Sequence, residues 1–187
     1  MKEPCPQITL PEPWLRASDA DVPAVGRAVL HALQLAGEDL PKWCGVLSNA
    51  ELNTRPANLA PVSFHIRHIA RSLDRLLTYA EGRNLTDEQL AKLQTELDSD
   101  GNRDDLFAEL DAALADASAR VRTLATANLE APRTVGKKRL PTTLGGLLVH
   151  IADHTQRHVG QAITTAKIVR GQAAKNSYSP IPVPRKL

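Results

Sequence analysis

Three histidines, His150, His154 and His158, recur at four-residue intervals in the stretch LPTTLGGLLVHIADHTQRHVGQAITTAKIVRG. Two more, His65 and His68, sit together in PVSFHIRHIARSLDRLLTY, which leaves only His31 outside these groups. Side chains four apart on a helix stand one turn above another on the same face, close enough for two imidazoles to share one divalent ion. Helices of the HExxH type use the same spacing, here without the adjacent glutamate. Neutral imidazoles favour Zn²⁺, Ni²⁺ or another first-row transition metal over Mg²⁺ or Ca²⁺, which take oxygen. A set of three protein ligands leaves coordination positions open to water or substrate, as catalytic rather than structural sites do. The plain alternative is that each histidine is merely hydrogen-bonded or solvated. A second helical pair weighs against it, because bundles commonly build metal sites from side chains on facing helices.

The elements that carry these residues decide which of them can meet. At about 100° of turn per residue, Leu144, Leu147, Leu148, Ile151, Ala162, Ala166 and Val169 form one apolar sector of the last long helix. His158 lies about 40° from Leu144 and His154 about 80° on the same side, whereas His150 falls near 120°. The inward pair is therefore His154 and His158, and His150 faces solvent or a boundary. On the earlier helix the stripe is Val62, Ile66, Ile69, Leu73, Leu76, Leu77 and Ala80. His65 sits about 60° from that stripe and His68 about 120°. Periodicity thus favours His65 as the inward group and leaves His68 open, because a site at the bundle's open end uses boundary positions.

No stretch alternates with period two over enough residues to propose a sheet, and the expected class is all-α. Residues 1–18 are Pro-rich and expected to be an extended arm held to the body by Leu10, Trp14 and Leu15. Asp19 or Asp21 can cap a first helix with Pro23 in its opening turn, and Gly37 and Pro41 demand a kink or break. A loop is expected over Ser48–Pro61, then a second helix from about Val62 to Glu81 ended by Gly82. Thr86-Asp87-Glu88 signals the start of a short helix over Gln89–Leu97, followed by the turn DSDGN. A third long helix over Asp104–Asn128 and a basic connector over Ala131–Pro141 lead to the fourth, capped by Thr142 or Thr143 and ended by Gly171. The spacing predicts a four-helix bundle over 19–171 and an irregular tail over 172–187, all one domain. Residues 82–103 are long enough to cross the bundle lengthwise, which would make the second and third helices parallel.

Composition narrows the function classes. Of 187 residues 42% are hydrophobic but only 3% aromatic, which suits helix-on-helix packing. The 23 basic and 21 acidic residues are mixed, with no arginine-rich block, so nucleic acid is not an expected partner. No apolar run approaches the ~18 residues of a membrane span. The opening residues carry an acid and four prolines and lack the apolar core of a signal peptide. A cytoplasmic protein with no membrane partner is expected. Cys5 and Cys44 form no CxxC pair and read as free thiols; neither they nor any serine falls into a nucleophile pattern.

Phe64-xxx-His68-Ile69-Ala70, followed some eighty residues later by His154-xxx-His158-Val159-Gly160-Gln161, resembles the DinB-like (DinB/YfiT) superfamily. Helix order and spacing agree over most of 20–171. The resemblance implies an up-down-down-up bundle with a long crossover between its second and third helices, often a homodimer. It also implies one divalent transition metal held by His68, His154 and His158, with His65 as the alternative to His68 or a neighbouring polar group. Family members commonly have Arg where this chain has Val159. Asp153, beside the histidine pair, is a candidate to orient an imidazole from outside the ligand set. The activity implied is a metal-dependent transferase, isomerase or hydrolase, in the first instance one that uses a low-molecular-weight thiol on a small electrophilic substrate. The competing class is a non-catalytic bundle that binds or dimerises and whose metal is vestigial or structural.

Overall fold

The computed structural model describes residues 10–98 and 101–176, with side chains described to residue 172. The expectations for residues 1–9, Cys5 among them, and for the tail beyond 176 fall outside this range. Four long helices, α1 (Ala24–Cys44), α3 (Val62–Ala80), α5 (Arg103–Leu124) and α6 (Leu144–Asn176), pack around one apolar core. Two short helices, α2 (Asn49–Leu52) and α4 (Asp87–Gln94), and a hairpin of β1 (Pro132–Val135) and β2 (Leu140–Thr143) lie between them.

Cross-helix contacts fix the directions. Arg71 of α3 meets Glu109 of α5, and further along Asp74 and Glu81 meet Arg120, so these two helices run parallel. His65 opposes His158 and His68 opposes His154, so α3 and α6 are antiparallel. Gln156 donates to the Ala32 carbonyl and Lys167 lies over the Trp43 ring, which makes α1 and α6 parallel. The topology is up-down-down-up, with α4 carried on the crossover between α3 and α5. The apolar sector expected on α6 is buried at every one of its seven positions. Gly26 of α1 lies against α5 so closely that an added Cβ would stand 2.2 Å from Ala125 Cβ.

Several local expectations are corrected. The first helix has Pro23 at its N-cap with no side-chain cap; Asp19 pairs instead with Arg122, and its backbone is left-handed. Pro41 lies within the last turn of an unbroken α1, where the one donor it lacks would serve only the Gly37 carbonyl. The stretch Ser48–Pro61 holds a helical turn with a Ser48–Glu51 capping box and a 3-10 turn at Pro56–Asn58. The residues meant to hold the arm, Leu10, Trp14 and Leu15, are exposed. Pro13 is buried in their place, and Arg16 grips Glu38 through two hydrogen bonds of 2.5 and 2.7 Å. The basic connector folds into a two-stranded hairpin, turned by Gly136 and Arg139 at positive φ. Thr86 caps α4 and Thr143 caps α6 as expected, but Gly171 does not end α6, which runs five residues further. Among the described residues no helix is long and apolar enough to cross a membrane.

Candidate functional site

Antiparallel packing of α3 on α6 brings the histidines of both helices to one place. Nε2 of His68 lies 3.3 Å from Nε2 of His154, and His68, His154 and His158 each offer a nitrogen within 4.8 Å of the others. The ring centroids of His68 and His154 stand 4.4 and 4.6 Å from that of His158. All three residues are half-buried, while His150 one turn earlier is exposed, as its helical phase requires. His31 is far off on α1, at hydrogen-bonding distance from Ser18.

What stands behind the rings matters as much as the rings themselves. Nδ1 of His68 donates to the Glu96 carboxylate at 2.6 Å, Nδ1 of His158 lies at hydrogen-bonding distance, 3.1 Å, from Nδ1 of His65, and Nδ1 of His154 lies 3.5 Å from the Ser72 hydroxyl. Each imidazole therefore has its Nδ1 engaged by the protein, and the nitrogen left over on each is Nε2. Phe64 stacks on His68 with ring centroids 5.2 Å apart and planes 19° from parallel, which fixes the plane of that ring.

Glu96 is the residue that sequence reasoning missed. It comes from the crossover just beyond α4, is 3% exposed, and takes hydrogen bonds from His68 on one oxygen and from Arg75 on the other, the latter at 2.5 Å. Burial pushes its carboxyl up, but the bonds from His68 and Arg75 outweigh that and hold it below the ordinary range. Two neighbouring arginines of α3 tie down the same stretch. Arg67 donates to the Asp98 carbonyl at 2.5 Å, and Arg71 donates to the Lys92 carbonyl and the Thr95 hydroxyl, both at 2.8 Å. The spacing Arg67, Arg71, Arg75 was the available signal, since three cations on one helix face beside a histidine call for acceptors opposite. Asp153, expected to orient an imidazole, points outward and pairs with Arg157 on the exposed face.

Of the two candidates on α3, the geometry groups His68 with His154 and His158. His65 is the more deeply buried, as periodicity anticipated, but it stands behind His158. Burial first, and then neighbouring positive charge, lowers His65 and His154 to about 4 and His158 to about 3. These rings are neutral near pH 7, the form that ligates a metal. The sign of the pH effect follows. An unfolded histidine titrates near 6.5, so as pH falls from there toward 4 the unfolded chain takes up protons that the folded chain refuses. Chelator-treated protein should lose thermal stability across that window and gain none above it. A series of thermal melts over the window tests this, and His158→Gln should flatten the slope.

Cys44 supplies no nucleophile: it is fully buried and its thiol is pushed up to about 12 by desolvation. Fold and site together define a four-helix bundle with a histidine-lined centre between its second and last long helices. Residues 32–162 match the model of the DinB superfamily, and the chain belongs to that family. Its fold is similar to that of YfiT from Bacillus subtilis, described as "a probable metal-dependent hydrolase with an unusual four-helix bundle topology". That match has a TM-score of 0.59 at 17% identity and covers 78% of this chain and 87% of YfiT. No curated protein matches.

Proposed function

We propose that His68, His154 and His158 hold one divalent transition ion through Nε2, with zinc or nickel best suited to the donors, and that the protein is a metal-dependent enzyme acting on small electrophiles. The observation that carries this reading is the occupation of all three Nδ1 positions by protein partners, which leaves three Nε2 atoms for one shared centre. The spacing fits the ion. Zinc–nitrogen bonds of about 2.0–2.1 Å in a tetrahedron put two nitrogens about 3.4 Å apart, against 3.3 Å between His68 and His154. The similar fold of YfiT, described as "a probable metal-dependent hydrolase", supports the same reading.

When bound, such an ion supplies Lewis acidity and lowers the pKa of a water or thiol that joins it. The chain's own residues do the rest. Glu96 holds the proton of His68 on Nδ1, Arg75 keeps Glu96 ionised, and His65 and Ser72 set the orientation of His158 and His154. Nothing else in the described cluster offers a nucleophile, so the attacking group is brought in from solution. A low-molecular-weight thiol makes the protein an S-transferase, and water makes it a hydrolase. Zinc- and nickel-loaded protein should therefore consume a bimane-type electrophile with a thiol present, or hydrolyse activated esters and amides without one, and lose either activity on chelation. Zinc bound stoichiometrically but no turnover in either arm would leave a non-catalytic binding module instead.

A further inference from the structure

Beside the histidine cluster a groove of about 560 Å³ runs between the turn after α2 and the middle of α6. It is lined by the buried His65, by Leu59 and Ala60 after the turn, and by Arg157, Gly160 and Gln161 of α6. Three features of this groove have no structural use elsewhere. Gly160 sits in the middle of a long helix, where glycine weakens the element. A Cβ there would nevertheless meet nothing within 4 Å, so no neighbour demands its absence. Ala57 and Asn58 both adopt left-handed backbone, at φ 50° and 62°, a costly choice for alanine. That turn leads directly into Leu59, which stays 47% exposed beside the groove instead of joining the core. The side chain of Gln161 makes no hydrogen bond among the described residues and can serve a ligand.

Charge completes the description. Arg157 is the one ionised side chain lining the groove, and its partner Asp153 is an exposed neighbour one turn back. Exposed pairs of this kind contribute little, so Arg157 can exchange Asp153 for an anion at small cost. We infer that this groove seats the substrate of the proposed metal centre, and that the substrate is a small molecule with an apolar body and an anionic group. The body lies over Gly160 and against Leu59, the anion meets Arg157 and Gln161, and the reacting end lies toward His65 and His158. The inference rests on the metal-centre reading for the direction of the substrate, but not for the groove's own affinity.

The test uses an aryl carboxylate, 4-(trifluoromethyl)phenylacetate, and its neutral amide, titrated by ¹⁹F NMR into zinc-loaded and chelator-treated full-length protein. Wild type should bind the carboxylate saturably and the amide about tenfold more weakly, and Arg157→Gln should remove that preference. Gly160→Leu fills the groove and should abolish binding, while zinc stoichiometry is kept and the melting temperature is equal to or above that of wild type. No saturable binding to wild type, or binding indifferent to Gly160→Leu, overturns the groove and leaves the metal reading intact. If zinc does not bind but the carboxylate still does, and Gly160→Leu removes it, the groove stands and the metal reading falls.

Discussion

Replacing His68, His154 or His158 with alanine is expected to take zinc from about one equivalent per chain to below about a tenth, because two remaining imidazoles do not hold a divalent ion against dilution. His150→Ala should bind zinc like the wild type, since that ring is exposed and outside the cluster. His65→Ala is the informative intermediate. It removes the Nδ1 partner of His158 without removing a proposed ligand, so the ion should bind roughly 10- to 100-fold more weakly at full stoichiometry. Elemental analysis after dialysis gives the stoichiometry and competition with a metallochromic indicator gives the affinity. Loss of metal in His65→Ala with retention in His68→Ala would move the α3 ligand to His65.

The second large effect belongs to Glu96. Alanine at this position leaves the Arg75 guanidinium buried without its acid and frees Nδ1 of His68. Breaking a buried ion pair from one side costs about 3–5 kcal/mol, and loss of a group that orients a metal-bound histidine costs roughly 10- to 100-fold in affinity. Chemical denaturation of metal-free protein isolates the first effect, and zinc titration of the folded variant isolates the second. Glu96→Gln should fall between wild type and alanine in both, because the amide keeps one acceptor oxygen but sets an NH2 donor against either His68 or Arg75, which now bond separate carboxylate oxygens. Unchanged zinc affinity in Glu96→Ala would reduce Glu96 to a purely structural acid.

The long helices were legible because their apolar residues recur with helical period and their starts carry recognisable caps. Seven apolar positions of α6 turn His154 and His158 inward and leave His150 outside, and the pair is half-buried while His150 is exposed. On α3 phase read burial rightly, since His65 is the deeper of the two, but it could not say which ring joins the α6 pair. An apolar stripe marks only the face that meets the bundle core, yet α3 is also buried on a polar face, where Arg67 and Arg75 lie under the crossover. That second covering turns the boundary position of His68 into part of a cluster. Family resemblance chose His68 where periodicity leaned to His65, and the geometry groups His68 with the α6 pair. Glu96 was invisible to period because it lies past the end of α4, whereas Asp153 was picked out only because it is adjacent in sequence. The hairpin escaped for a similar reason: strands of four residues that contain prolines and lie at the surface have too little apolar alternation to register.

The crossover has a thermodynamic consequence. Three imidazoles belong to α3 and α6, but the acid that sets the tautomer of His68 is borne by a surface connection between α3 and α5. Coupling between two events is reciprocal. Whatever free energy the docked crossover adds to metal affinity, a bound ion returns to the docking of that crossover, and a tenfold change in one is about 1.4 kcal/mol in the other. A partner that settles on the outer side of α4 and steadies Glu96, or draws it away, would therefore tune the ion's affinity without touching a histidine. In the proposed centre, a stretch that looks like plain connection carries the acid behind one of the three ligands.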